Sequence, residues 1–248
     1  MSEVVLVTGA GRGIGAATAR AAARRGYAVG VNYLRDEEAA RSLVGRIASE
    51  GGRAVAVRGD VAVPGDVGRL FDQAGRALGP VTALVNNAGT TGRITRFEAL
   101  DLPTLRRVID VNLIGAMLCA QEAVRRFSTV HGGRGGSIVN VSSVAAALGS
   151  PGEYVHYAAT KAAIETFTIG LAREVASEGI RVNAVAPGTV DTEIHAAGGD
   201  PDRPARVAAR IPMGRVGRPE EIAEAIIWLL SPAASYTTGA VLTVSGGL

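Results

Sequence analysis

The chain alternates short runs of β-branched and other apolar residues with longer alanine-rich segments, and this alternation limits the folds open to it. The short runs are apolar almost throughout, and most are separated from the next by a segment with helical spacing. Such strands are typical of a parallel sheet that is covered by helices on both faces. We therefore predict a doubly wound α/β fold with about seven parallel strands, whose ligands bind beyond the carboxyl ends of the strands.

The alternating segments give a predicted element order. Strands are predicted at 4–8, 28–33, 54–58, 83–87, 137–142, 181–186 and 240–244, and helices near 13–25, 36–50, 66–78, 103–127, 154–178 and 219–230. No interior stretch of the 248 residues resembles a linker, so we expect one domain over 1–248. The glycine- and proline-rich stretch 198–219 has no firm strand and is a candidate lid.

Composition argues against several other classes of protein. The net charge of +3 comes from scattered arginines rather than a basic block, which argues against a nucleic-acid partner. The single Cys119 lies in an apolar run and reads as a buried helical thiol, and the separated His131, His156 and His195 do not suggest a metal site. Without a long apolar run or a secretory leader, we expect a soluble, cytoplasmic protein with no membrane partner.

The stretch "VTGAGRGIG" follows the first predicted strand and opens the first predicted helix. A glycine-rich turn in that position lets backbone N–H groups and the helix N-terminus hold a pyrophosphate. Its spacing is T-G-x-x-x-G-I-G rather than G-x-G-x-x-G, because the last glycine of the latter would fall on Ile14. Tight packing is the alternative reading, but the strand and helix on either side favour a dinucleotide site.

The end of the second predicted strand bears on the choice between NAD and NADP. An acidic side chain there binds the ribose 2′-hydroxyl of NAD, whereas this chain has the uncharged Tyr33. Arg35 follows it, and Arg12 lies in the glycine-rich turn, so two guanidinium groups could converge on a 2′-phosphate. NADP(H) is therefore favoured over NAD(H). The opposing reading is that the acidic run 36–38 binds ribose, but such a run at a helix start is more simply an N-cap.

The segment "YVHYAATK" contains a candidate proton-transfer pair. Tyr157 and Lys161 are four residues apart in a helical segment and so share one face. A neighbouring ammonium favours the phenolate and lowers the pKa of a tyrosine, which suits it to acid–base work. Tyr154 has no lysine at that spacing, and His156 points to another side of the helix.

With these motifs in place, the chain resembles the short-chain dehydrogenase/reductase family over essentially its whole length. The matching motifs occur in the family's order, and they are "TGAGRGIG" at 8–15, "DV" at 60–61, "NNAG" at 86–89, "VN" at 111–112, "VSS" at 141–143, "YAATK" at 157–161 and "PGTVDT" at 187–192.

The resemblance implies a Rossmann-type homotetramer that moves a hydride between a nicotinamide cofactor and a carbonyl or secondary alcohol. It implies that Tyr157 is the general acid and base, and that Lys161 lowers its pKa and holds the nicotinamide ribose. Ser143 would bind the substrate oxygen, as chemistry also requires of a donor facing a developing alkoxide. Asn112 would support a water that links Lys161 to solvent, although an asparagine there could instead satisfy backbone groups.

The resemblance also assigns the cofactor contacts, to which Arg12, Tyr33 and Arg35 are added by the argument above. The assigned residues are Gly9, Gly13, Ile14 and Gly15 at the pyrophosphate, Asp60 and Val61 at the adenine, Asn87, Ala88 and Gly89 beside the ribose, and Pro187, Gly188, Val190 and Thr192 around the carboxamide.

One feature departs from the family pattern. The spacing from Ser143 to Tyr157 is one residue longer than in many members, and we expect the extra residue in "GSPGEY", beside the substrate. This variant resembles bacterial members named glucose-dehydrogenase-like or 3-oxoacyl-ACP-reductase-like. The expected pocket loops are 90–97, 144–156 and 189–215, with candidate lining residues Arg93, Glu153, Tyr154 and His195.

The leading hypothesis is an NADP-dependent carbonyl reductase or alcohol dehydrogenase acting on a small molecule. A 3-oxoacyl-ACP reductase is the alternative, and it would need a basic patch such as Arg125, Arg126 and Arg134 for an acidic carrier protein. A non-catalytic nucleotide-binding protein is the alternative from another class. The complete set of Asn112, Ser143, Tyr157 and Lys161 argues against it, because binding alone does not need all four.

Overall fold

The computed structural model describes residues 3–248 and contains one sheet of seven parallel strands. Its order is β3-β2-β1-β4-β5-β6-β7, which confirms the predicted doubly wound α/β fold. The strands are Val4–Val7 (β1), Ala28–Tyr33 (β2), Arg53–Arg58 (β3), Val81–Asn86 (β4), Gly136–Val141 (β5), Ile180–Pro187 (β6) and Val241–Val244 (β7).

The longer helices lie where the sequence predicts them. Three short ones, α6, α8 and α9, were not predicted, and α9 lies inside the candidate lid. The helices are Gly13–Arg24 (α1), Glu37–Ser49 (α2), Pro64–Leu78 (α3), Leu102–Ile109 (α4), Ala116–Phe127 (α5), Ala145–Leu148 (α6), Val155–Val175 (α7), Ile194–Ala197 (α8), Arg203–Ala208 (α9) and Pro219–Leu230 (α10).

The segment predicted as one helix near 103–127 is divided. A π-helical turn over Asp110–Gly115 separates α4 from α5. The turn keeps the helical direction, so the apolar spacing of the sequence continues through it. It carries Asn112, and such turns are frequent at functional sites.

Two apolar clusters lie on opposite faces of the sheet, because successive strand residues point to opposite sides. Val5 and Val7 belong to the cluster under α1, α2 and α10, whereas Leu6 belongs to the cluster under α3, α5 and α7. Cys119 is fully buried in this second cluster, as predicted. Within residues 3–248, no helix is long and apolar enough to cross a membrane.

The strand order reverses at β1, which pairs with β2 on one side and with β4 on the other. The loops that leave β1 and β4 therefore diverge, and a crevice opens between them at the carboxyl edge of the sheet.

Candidate active site

The glycine-rich turn needs its glycines. Gly9 and Gly13 have positive φ angles of 61° and 53°, a conformation that side chains disfavour. At Gly15 a Cβ atom would lie 2.5 Å from Asn87 Nδ2 and 2.6 Å from Gly9 O. The turn is therefore packed directly against the residues that follow β4.

The turn forms a cradle that fits a pyrophosphate. No side chain caps the N-terminus of α1, because Arg12 at the N-cap makes no side-chain capping bond. The first N–H groups of that helix are thus available to an anion, in the field of the helix dipole. Thr192 lies over the turn, since a Cβ atom on Gly13 would be 3.2 Å from its Cγ2.

A set of partly buried hydrogen bonds, called the lock below, joins the ends of β1 and β4. The Thr8 hydroxyl accepts bonds from Asn87 N and Ala88 N, both at 3.0 Å. Asn87 Nδ2 donates to Thr8 O at 2.9 Å and to Gly9 O at 3.0 Å. The predicted cofactor residues after β1 and β4 are therefore brought together.

Asn32 supports the same turn and was missed by the sequence analysis. Its Oδ1 accepts from Gly9 N at 3.1 Å, and its Nδ2 donates to Gly59 O at 3.1 Å and Val57 O at 3.3 Å. The sequence did indicate Asn32, because it is the one amide side chain in β2, a strand that is otherwise apolar or aromatic and is fully buried.

The residues named in the NADP argument lie around the end of β2 and the glycine-rich turn. Tyr33 is buried in the core cluster, while Arg12 and Arg35 are exposed. Within residues 3–248 neither arginine takes part in an ion pair. Asp36 is engaged as the N-cap of α2, accepting from Ala39 N at 2.9 Å.

The two residues predicted at the adenine follow β3. Asp60 forms an ion pair with Arg107, with 2.9 Å between Oδ2 and Nη1, and accepts from Ala62 N at 3.0 Å. Val61 is buried, and a Cβ atom on Gly115 would lie 2.8 Å from its Cγ2.

Tyr157 and Ser143 meet at the carboxyl edge of the sheet. Tyr157 is buried at the start of α7, and burial raises the pKa of its phenol to about 12. A hydrogen bond with Ser143 lowers that pKa in part. Ser142 is turned elsewhere, since its hydroxyl donates to Glu165 Oε1 at 2.8 Å. Of the two serines, Ser143 is thus the one that faces the phenol.

Lys161 lies beside the same tyrosine, with its Nζ 5.5 Å from the centre of the Tyr157 ring. Nζ donates to Val141 O at 2.7 Å, and burial lowers the pKa of the ammonium to about 8. The expectation that Tyr157 has a lowered pKa differs from what the structure gives, because burial outweighs the favourable contacts of the phenolate.

Asn112 is fixed within reach of Lys161. Its side chain accepts from Thr90 N and donates to Thr90 O, both at 2.8 Å, and lies 3.2 Å from Thr160 Oγ1. A Cβ atom on Gly89 would be 3.4 Å from Asn112 Oδ1 and 3.7 Å from Lys161 Nζ. Gly89, Asn112 and Lys161, all predicted site residues, therefore lie close together.

The residues predicted around the carboxamide follow β6. Pro187 O accepts from Val144 N at 2.9 Å, and Gly188 N donates to Val244 O at 3.0 Å. Val190 is buried, and its carbonyl oxygen lies 2.9 Å from His195 Nε2.

His156 and Tyr154, the other polar candidates near Tyr157, make different contacts. His156 is buried, and its Nε2 lies 2.9 Å from Thr91 O, so it holds the loop after β4. Tyr154 packs on Tyr157 with its ring edge-on, 5.4 Å between centroids. Arg93 is exposed and lines a cleft beside α4. Within the described residues no group of three or more His, Cys, Asp or Glu is placed to hold a metal ion.

Comparisons with known proteins match nearly the whole chain. The profile of a family described as enoyl-(acyl carrier protein) reductase matches residues 9–248. An uncharacterized oxidoreductase of Escherichia coli, YgfF, is 49% identical over 244 residues, which cover 98% of this chain and 99% of that protein. A 3-oxoacyl-[acyl-carrier-protein] reductase of Synechocystis is 40% identical over 249 residues, covering 100% and 97%. The solved structure of a mutant short-chain dehydrogenase/reductase from Serratia marcescens superposes with a TM-score of 0.89 at 33% identity, covering 99% of this chain and 97% of that one.

Proposed function

Since the chain belongs to the short-chain dehydrogenase/reductase family, we propose that it moves a hydride between NADP(H) and a carbonyl or secondary alcohol. Members of this family are oxidoreductases that act on CH–OH and C=O groups with NAD(P)(H). Tyr157 is the general acid and base of this reaction. The observation that carries the proposal is that the buried Tyr157 phenol meets Ser143 while Lys161 lies beside the same ring, with its Nζ 5.5 Å from the ring centre, at the carboxyl edge of the sheet.

A nicotinamide held at this site would supply the hydride in reduction and accept it in oxidation. Because burial raises the pKa of Tyr157 to about 12, its phenol keeps a proton at neutral pH and can give that proton to a carbonyl oxygen. The Ser143 hydroxyl donates to the same oxygen as negative charge develops on it. In oxidation the phenol must first lose its proton, so alkaline pH favours this direction.

Lys161 and Asn112 have supporting roles in the proposal. The Lys161 ammonium binds the nicotinamide ribose hydroxyls and favours the phenolate of Tyr157 when that proton leaves. Asn112 supports a water that links Lys161 to solvent. Its double contact with the Thr90 backbone supports this role, because a fixed side chain can position a water.

The cofactor contacts follow the cradle. The uncapped N-terminus of α1 and the close packing of Gly15 on Asn87 support a pyrophosphate at the glycine-rich turn. The proposed contacts are Gly9, Gly13, Ile14 and Gly15 for the pyrophosphate, Asp60 and Val61 for the adenine, Asn87, Ala88 and Gly89 for the ribose, and Pro187, Gly188, Val190 and Thr192 for the carboxamide.

The preference for NADP(H) rests on Arg12 and Arg35, two exposed guanidinium groups without ion-pair partners in the described residues, and on the engagement of Asp36 as a cap. We expect Arg35→Ala to weaken NADPH binding about tenfold and NADH binding less than twofold, because only the former loses a charge-assisted contact. Arg46→Ala, at the far end of α2, is the charge-matched control. Equal loss for both cofactors would refute the preference.

Reduction of 3-oxoacyl thioesters on an acyl carrier protein is the second candidate, and the Synechocystis relative favours it. The basic patch it needs is weakened, because Arg126 pairs with Asp72 at 2.8 Å and with Glu122 at 2.6 Å. Arg125 also lies 3.7 Å from Glu122.

The rate of NADPH oxidation with a panel of ketones, aldehydes, sugars, quinones and acetoacetyl thioesters tests both candidates. Turnover of ketones or sugars without turnover of thioesters would remove the second candidate. Absence of turnover with every carbonyl, in a chain that binds NADPH, would contradict the proposed reaction.

We further propose a homotetramer, in which the end of the chain packs at a subunit interface. The edge strand β7 is only half buried, Trp228 is 41% exposed, and Tyr236 is fully exposed. Exposed aromatic groups, and an edge strand that is unpaired within residues 3–248, are both typical of an interface. Light scattering of the purified chain tests this, and a monomer would contradict it.

A further inference from the structure

The loop before α7, where the sequence analysis expects the extra residue, forms a compact turn. Gly149 and Gly152 have positive φ angles of 72° and 75°, and so does Ser150 at 47°, alone among non-glycine residues of 3–248. Ser150 O accepts from Glu153 N at 3.3 Å and from Tyr154 N at 3.2 Å. A non-glycine residue persists in this conformation where its surroundings compensate the strain. The turn thus holds the backbone of Glu153, whose N–H donates to Ser150 O.

Glu153 binds an arginine from the candidate lid. Arg203, at the start of α9, donates to Glu153 Oε2 from Nε at 3.1 Å and from Nη2 at 2.8 Å. The two side chains are only 13% and 25% exposed, whereas the nearby pair Arg96–Glu98 is 75% and 71% exposed. A shielded ion pair with two hydrogen bonds is stronger than an exposed one, so this pair can hold two segments together.

Arg203 is linked to Tyr157 through the ring of Tyr154, which packs against both side chains. Arg203 Cζ lies 5.2 Å from the centre of the Tyr154 ring, and that ring packs edge-on against Tyr157. The chain of contacts runs from Glu153 through Arg203 and Tyr154 to Tyr157. The positive charge of Arg203 also lowers the pKa of Tyr157 against the effect of burial.

Backbone hydrogen bonds join the same segments. Thr95 N donates to Glu153 O at 2.9 Å, and Ile94 N donates to Gly198 O at 3.0 Å. The loop after β4, the turn before α7 and the lid thus meet at one place, which is where the substrate loops were expected.

We propose that Glu153 and Arg203 form a latch, defined as this ion pair stacked on Tyr154, which fastens the lid over the site and holds the Tyr157 phenol in position. Both are positioning residues, and the inference rests on the proposed role of Tyr157.

The test is the kinetics of Arg203→Met, Arg203→Lys and Glu153→Gln with a carbonyl that the wild-type chain reduces. We expect kcat to fall about tenfold in Arg203→Met and Glu153→Gln, with the Kd of NADPH unchanged within twofold. Arg203→Lys keeps the charge and should recover part of kcat. A purely structural role would instead lower the thermal midpoint and leave kcat of the folded enzyme unchanged.

The double variant decides whether the two residues act together. If they form one latch, Glu153→Gln with Arg203→Met loses little more than the worse single variant. Loss by the product of the single effects, about 100-fold, would overturn the proposal. Glu224→Gln is the matched control, because it breaks the exposed Arg25–Glu224 pair, and it should leave kcat unchanged.

Hydrogen exchange gives a second result that needs no turnover. In Glu153→Gln and Arg203→Met, we expect the amides of Ile94 and Thr95 to lose protection while those of β5 and β6 keep it. Unchanged protection at Ile94 and Thr95 would overturn the latch. If the wild-type chain reduces no carbonyl, the proposed reaction fails, and the exchange result decides the latch by itself.

Discussion

Gly15→Ala should disrupt the cofactor cradle, although alanine normally favours a helix. The new Cβ atom would lie 2.5 Å from Asn87 Nδ2 and 2.6 Å from Gly9 O, so the two sides of the crevice must open by about 1 Å to restore ordinary contact. Asn87 Nδ2 holds Thr8 O and Gly9 O, and it would have to leave both.

The magnitude follows from these contacts. Overpacking costs about 1–3 kcal/mol, and two lost hydrogen bonds cost about 1 kcal/mol each. Helix propensity offsets about 1 kcal/mol of this. A net cost of about 3 kcal/mol that falls on the cradle corresponds to about 100-fold weaker NADPH binding.

Fluorescence titration of NADPH, together with thermal unfolding, measures the effect. Gly45→Ala is the matched control, since Gly45 lies inside α2 and a Cβ atom there would meet nothing within 4 Å. We expect that control to bind NADPH normally and to be stabilised by up to about 1 kcal/mol. If Gly15→Ala bound NADPH within threefold of the wild-type chain at an unchanged thermal midpoint, the reasoning about the cradle would be refuted.

Three further outcomes follow from the site. Thr8→Val removes the acceptor of two backbone N–H groups and should weaken NADPH binding about tenfold. The control is Thr82→Val, which changes a buried hydroxyl without a partner in the described residues and should leave NADPH binding unchanged. Equal Kd values for the two variants would count against the lock. Asn32→Ala should lower the free energy of unfolding by about 2–3 kcal/mol in urea titration, because it frees the backbone groups that Asn32 binds, and a loss below about 0.5 kcal/mol would show that the turn is held otherwise. Since burial raises the pKa of Tyr157 to about 12, alcohol oxidation should speed up about tenfold per pH unit between about pH 7 and 9 while reduction stays level near neutrality, and a pH-independent oxidation rate would contradict a protonated phenol.

Much of this fold follows from local patterns in the sequence. Apolar runs of β-branched residues predict all seven strands within two residues at each end, because a doubly covered strand such as β1 must be apolar on both faces. The π-helical turn at Asp110–Gly115 was not predicted, since one wide turn leaves the spacing of apolar residues almost unchanged.

The sequence likewise predicts some features of the candidate site and not others. The four-residue spacing of Tyr157 and Lys161 predicts their shared position, because helix geometry is local. Burial raises the pKa of Tyr157 to about 12, and the sequence could not show this, because it reveals a neighbouring charge but not the burial that opposes it. The contact between Glu153 and Arg203 joins residues 50 apart, and only the folded chain brings them together.

The rate of carbonyl reduction by Tyr157→Phe tests the central claim most directly. Phenylalanine keeps the ring that packs on Tyr154 and removes only the hydroxyl that faces Ser143. The account expects NADPH binding to remain within about threefold of the wild-type chain while kcat falls at least about 100-fold, the size of a lost general acid. Unchanged turnover by the NADPH-bound variant would contradict the assignment of Tyr157 as the proton donor.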